Sequence, residues 1–173
     1  MGFILAPAMD ASPSLHCLIE IPKGSRNKYE WDEALQAIKL NRFLFSSVVF
    51  PTDYGFVTKT LGDKGEALDA LVCVNAPTFP GCLIEVRVVG VLQMDDEEGR
   101  SDKLVCVPAD DPAWDQVEGI DGLPEQLRKE IQHFYSMYKE PEGKHVEIHG
   151  WADRDAAEEA VDDGRRRYAE EQP

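Results

Sequence analysis

The sequence predicts an α+β protein, a small closed β-barrel with helices packed outside it, and two observations carry that prediction. The first half is a series of short apolar runs, several of them closed by proline. The second half changes to apolar spacings of three and four. Runs of the first kind read as strands between turns, and the second spacing is that of an amphipathic helix.

Taken in order, Leu15–Ile21 is a compact apolar run that stops at Pro22. Tyr29–Trp31 and Ala37–Leu40 flank an expected hairpin. Leu68–Val74 ends at Asn75-Ala76-Pro77, and Leu83–Leu92 alternates in part with β-branched residues through its middle. Lys103–Val107 ends at Pro108. Pro124 suits the first turn of a helix whose apolar face is Leu127, Ile131, Phe134, Tyr135 and Tyr138. Gly143 follows its end, and Lys144–His149 reads as one more strand. Asp153 or Asp155 caps a last helix running to about Tyr168, lined by Ala156, Ala157, Ala160, Val161 and Tyr168. Gly164 is a weak spot within it.

A chain of 173 residues fits one domain, residues 1–173. Its 43% hydrophobic content is that of a globular protein. It holds no apolar run of ~18 residues, so nothing is expected to span a membrane. The start, Met1-Gly2-Phe3-Ile4-Leu5-Ala6-Pro7, has no basic stretch ahead of its apolar run, which disfavours a secretory signal, and Ala6 disfavours lipidation of Gly2. Cys17, Cys73, Cys82 and Cys106 form no CxxC pair, and three of them sit in apolar runs. Buried reduced thiols and a cytoplasmic protein are expected. The net charge of -15 repels nucleic acid and anionic lipid, so neither is an expected partner.

Motifs carry the reading further. Glu20-Ile21-Pro22-Lys23-Gly24-Ser25-Arg26-Asn27-Lys28-Tyr29-Glu30 resembles the opening strand and loop of the family I soluble inorganic pyrophosphatases, most closely the bacterial branch. Leu40-Asn41-Arg42-Phe43 and Phe50-Pro51-Thr52-Asp53-Tyr54-Gly55-Phe56 match the family's next segments in order, although Phe50 replaces a tyrosine. Gly65-Glu66-Ala67-Leu68-Asp69 stands where the family has the acidic signature D-G-D-P-x-D. Met94-Asp95-Asp96-Glu97 through Asp102-Lys103-Leu104 matches an acidic loop, and His133-Phe134-Tyr135-Ser136-Met137-Tyr138-Lys139 matches a helix end that closes over substrate. The likeness runs from about Leu15 to Trp151. It implies an oligonucleotide-binding-like (OB-like) barrel, a homohexamer, and hydrolysis of pyrophosphate with several magnesium ions.

The chemistry explains the residue types. Pyrophosphate is highly anionic, so metal ions must screen it and lower the pKa of an attacking water, while Lys and Arg hold the leaving phosphate. Magnesium takes hard oxygen ligands, hence carboxylates. By resemblance, Lys28, Arg42, Lys103, Tyr138 and Lys139 bind substrate. Tyr54 lies near the nucleophile, Glu66 is the general base, and Lys64 is a new catalytic or binding group. Glu20, Glu30, Asp69 and Asp96 are the metal carboxylates.

Three positions depart from the family pattern. Lys64 stands where the first signature Asp is a metal ligand, Glu66 where the second is the base, and Ser101 where an Asp bridges metals. Asp63 adjoins Lys64, and Asp102 adjoins Ser101, so a loop distortion in either place would restore a ligand; Asp102 is the better candidate. In a second account, the Lys64 ammonium replaces one metal and pairs with Asp69. The expected activity is hydrolysis of pyrophosphate or another phosphoanhydride below the rate of an intact site. The alternatives are an enzyme acting on an organic phosphate or diphosphate, and an inactive paralogue.

Overall fold

The computed structural model describes residues 14–172. The strands are β1 (Leu15–Ile21), β2 (Asn27–Asp32), β3 (Ala37–Phe43), β4 (Asp53–Val57), β5 (Asp69–Val72), β6 (Leu83–Asp96), β7 (Gly99–Arg100), β8 (Lys103–Pro108) and β9 (Glu147–Asp153). The helices are α1 (Glu125–Met137) and α2 (Arg154–Glu171). The result is a sheet-dominated α+β fold with two helices, as the sequence predicts.

Strand pairing runs in a cycle. β1 pairs antiparallel with β4, β4 with β5, β5 parallel with β8, β8 antiparallel with β6, and β6 with β1 again. The long strand β6 makes this arrangement work: its start pairs with β1, its middle with β8, and its end with β9. A bulge between Val88 and Gly90 changes which face its side chains meet. β2 and β3 form a separate two-stranded sheet.

Alternation along each strand divides the core in two. Leu71, Cys73, Val105 and Val107 point to the cluster that takes Ile131, Phe134 and Tyr135 of α1. Ala70, Val72, Leu104 and Cys106 point the other way, to Ala157 and Val161 of α2. This parity also decides the placement of the polar residues at the strand starts.

The expected elements form with shifted ends. The last strand is Glu147–Asp153 rather than Lys144–His149, because its partners lie on the second half of β6. Asp153 caps α2 by accepting from the backbone N–H of Arg154, and the helix runs to Glu171. Ala156 is exposed rather than packed. Gly164 is no weak spot: a Cβ there would lie 2.8 Å from Leu68 Cδ1, so glycine allows α2 to approach that side chain. Cys17, Cys73 and Cys106 are buried, Cys82 is partly so, and all four are free thiols. Among the described residues, no helix is long and apolar enough to cross a membrane.

Candidate active site

β5 and β8 run parallel with Ala70 level with Leu104, so Asp69 and Lys103, one residue earlier on each, stand side by side on the α1-facing side. Lys103 Nζ donates to Asp69 Oδ2 at 2.6 Å and to Ser101 Oγ at 2.9 Å. The lysine is buried, and the carboxylate compensates its charge. Tyr54, on neighbouring β4, places its ring 6.0 Å from that ammonium. Burial first, and then the Asp69 charge, hold the Tyr54 hydroxyl well above its ordinary pKa, so it is a neutral donor.

The end of α1 supplies a second wall. Tyr138 stacks on Phe134 with ring centroids 5.1 Å apart, and the next residue, Lys139, turns to the acidic end of β6. Its Nζ lies 3.3 Å from Asp96 Oδ2 and 3.1 Å from Glu97 Oε2, and Lys144 reaches Glu97 Oε1 at 3.1 Å. Burial alone would raise the Glu97 carboxyl, but its own backbone N–H and the two lysines win and bring it to about 2. Burial pushes the Tyr138 hydroxyl up to about 12, against the pull of Lys139.

The β2–β3 hairpin supplies the third wall. Lys28 stands directly across from Arg42. Burial, and then the Arg42 charge, lower the Lys28 pKa, with Lys139 adding to the repulsion. A set of cations crowded enough to depress one of its members attracts an anion. Glu30 Oε2 accepts from Asn41 at 2.9 Å on the same hairpin. Glu20 lies one residue before the end of β1, where its Oε1 accepts from the Trp31 backbone N–H at 2.7 Å. Burial raises its carboxyl to about 7, the Trp31 bond pulls the other way, and Asp69 adds to the rise.

The structure therefore brings together Glu20, Lys28, Glu30, Arg42, Tyr54, Asp69, Asp96, Lys103, Tyr138 and Lys139. It corrects three other expectations. Asp102 does not join them: its Oδ1 accepts from the Met94 backbone N–H at 3.1 Å and its Oδ2 from Arg100 Nε at 2.6 Å. It shares strand parity with Leu104, which faces α2, and no bulge reverses that parity. Asp63 is drawn to α2, where it pairs with Arg167 at 2.6 Å. Lys64 does not pair with Asp69, whose partner is Lys103; Lys64 and Glu66 are exposed on the loop before β5. Gly65, between them, takes φ 78°, and the Glu66 carbonyl is held by the Gly62 N–H at 2.7 Å.

Two functional candidates went unread in the sequence. Glu97 was visible as a member of the acidic run beside Asp96. Glu142 carried no signal, because its meaning lies in a contact with Arg42 across 100 residues.

Among the described residues, no three His, Cys, Asp or Glu side chains form a ready-made metal cage. That arrangement still fits magnesium, which keeps most of its waters and binds one or two carboxylates together with substrate phosphate. Asp69 and Asp96 each present a carboxylate paired with one ammonium, and Asp69 is partly open to solvent.

The family profile described as inorganic pyrophosphatase matches residues 17–169. The inorganic pyrophosphatase of Methanosarcina acetivorans is 52% identical over 153 residues, covering 88% of this chain and 91% of that protein. That of Streptomyces coelicolor is 50% identical over 154 residues, covering 88% and 94%. The crystal structure of the Thermus thermophilus inorganic pyrophosphatase superposes with a TM-score of 0.88 at 45% identity, covering 95% of this chain and 97% of that one. With matched residues running through both helices and every strand that bears the site, the chain belongs to the inorganic pyrophosphatase family.

Proposed function

We propose that this protein hydrolyses pyrophosphate to two phosphates with magnesium, at a rate below that of a site carrying acids at positions 64 and 101. The observation that carries the proposal is the facing pair Lys28 and Arg42, which interacts with Lys139 and, through Glu20, with Asp69 of the Asp69–Lys103–Ser101 cluster. Lys28, Arg42 and Lys139 bind the oxygens of one phosphate, and the neutral Tyr138 hydroxyl donates a further hydrogen bond. Lys103 balances the other phosphate and keeps Asp69 oriented. Tyr54 donates toward the attacking side.

Asp69 and Asp96, with Glu20 and Glu30 farther out, would hold magnesium, which would supply charge screening and a more acidic water. Glu66 accepts the proton of the attacking water. A glutamate carries its carboxylate about 1.5 Å beyond an aspartate, and misplacement of about 1 Å can cost ~100-fold in rate. Lys64, exposed on the loop before β5, adds a cation that draws on the anionic substrate.

The cycle of strand pairings supports reading the sheet as a closed OB-like barrel in one domain, residues 1–173. Exposed Phe79 and Leu83 support a homo-oligomer, read as a hexamer, and the free thiols support a cytoplasmic location. The deciding experiment is phosphate release from pyrophosphate across a magnesium titration, with Asp69→Ala as control. Turnover that requires both magnesium and Asp69 is expected; a folded protein with no turnover at any magnesium concentration overturns the proposal.

A further inference from the structure

Arg42 reaches the anion site on a hairpin that no backbone ladder joins to the main sheet; β1 holds it through the Glu20 carboxylate, which accepts from the Trp31 N–H. Among the described residues β2 and β3 pair only with each other, and most of β3 is exposed. Backbone ladders therefore do not fix the distance from Lys28 and Arg42 to Tyr138 and Lys139. A side-chain tie does. Arg42 Nη2 donates to Glu142 Oε2 at 3.1 Å, and Nε makes an ion contact with Oε1 at 2.6 Å. The Glu142 side chain is 9% exposed and that of Arg42 22%, so water screens the pair weakly.

Glu142 is itself held firmly. It ends a 3-10 turn, Glu140–Glu142, that follows Lys139 directly. Its N–H donates to the Lys139 carbonyl at 3.0 Å, and Gly143, in the left-handed region at φ 74°, closes the turn by donating to Glu140 at 2.9 Å. Pro141 stiffens the middle of that turn. The segment that fixes Lys139 thus also fixes Glu142. Across the hairpin, Lys28 and Arg42 repel each other, and Glu142 neutralises one member of the pair. A guanidinium has five N–H groups, so holding one edge leaves others for a phosphate.

We infer that Glu142 is a positioning residue for pyrophosphate: it orients Arg42 and ties the β2–β3 hairpin to the Tyr138–Lys139 wall, setting substrate affinity without touching substrate. This rests on the pyrophosphatase reading, and the test separates the two. Wild type, Glu142→Ala, Glu142→Gln, Arg42→Ala and the Arg42→Ala/Glu142→Ala double variant are titrated with methylenediphosphonate, a non-hydrolysable diphosphate, by calorimetry with magnesium present. Pyrophosphate turnover is measured in parallel.

Glu142→Ala is expected to weaken diphosphonate binding and raise KM roughly tenfold, with kcat changed less than about threefold. Glu142→Gln keeps the shape and loses the charge, so a shift of about threefold is expected; being nearly isosteric, it reports even if the alanine variant is unstable. The double variant is expected to bind no more weakly than Arg42→Ala alone. Unchanged affinity in both Glu142 variants, or full additivity in the double variant, overturns the inference while leaving the activity standing. Wild type whose diphosphonate affinity depends on Glu142 yet which turns over no pyrophosphate keeps the inference and sinks the activity.

Discussion

Lys103 holds Asp69: the ammonium donates to Oδ2 at 2.6 Å, and Ser101 takes a second of its protons at 2.9 Å. The buried cation and the partly open carboxylate belong to adjacent parallel strands, so backbone register sets their distance. Removing the acid separates its two roles. Asp69→Asn preserves a hydrogen bond to Lys103 and loses the anionic ligand; Asp69→Ala leaves a buried ammonium uncompensated. Both are expected to lower magnesium-dependent turnover at least ~100-fold. In urea titrations the alanine variant is expected to be less stable than the asparagine variant by roughly 2 kcal/mol. Equal stability would show that Lys103 does not depend on Asp69.

Ser101 faces the same cluster with a neutral hydroxyl, and Lys64 adds a positive charge on the loop before β5. Ser101→Asp combined with Lys64→Asp places one acid in the Lys103–Asp69 cluster and replaces the cation on the loop before β5 with a second acid. The magnesium concentration giving half-maximal activity is expected to fall about tenfold, with a matching rise in calorimetric magnesium affinity. No change in either measurement would show that the loop backbone, rather than ligand identity, limits metal binding.

Glu20 produces a defined pH dependence. Burial, the first cause, raises its carboxyl from the ordinary 4.5 to about 7, with Asp69 contributing. Between those values the folded protein holds a proton that the unfolded chain has released, so stability falls as pH rises through that window. The penalty, fully developed above about pH 7, is at most about 3 kcal/mol. Glu20→Gln is expected to remove it. The difference in Tm between variant and wild type is expected to grow from pH 5 to pH 8, whereas a constant difference would mean that Glu20 ionises normally in the fold.

Gly164 is the place where helix propensity and packing oppose each other. Alanine gains up to ~1 kcal/mol of helix propensity. Its Cβ would stand 2.8 Å from Leu68 Cδ1 and 3.2 Å from Thr60 Cβ, and overpacking costs about 1–3 kcal/mol. Gly164→Ala is expected to destabilise the protein by roughly 1 kcal/mol in denaturant titration. Leu68→Ala in the same chain is expected to make Gly164→Ala neutral or stabilising, because the obstructing methyl is gone.

Much of this protein was determined by sequence alone, because its signals are local. Proline and glycine punctuate the strands, the spacing of Leu127, Ile131, Phe134 and Tyr135 fixes a helix face, and the ordered motifs from Glu20 to Lys139 identify the family and nominate the candidate site residues. The tertiary structure decided what depends on direction and distance. It sent Asp102 to Met94 and Arg100, Asp63 to Arg167, and gave Asp69 to Lys103 rather than to Lys64. It also joined Arg42 to Glu142 across 100 residues. The physical reason is the same in each case: neighbours in sequence point to opposite faces of a strand, and a side chain's partner is chosen by the register of strands that only meet when the chain folds.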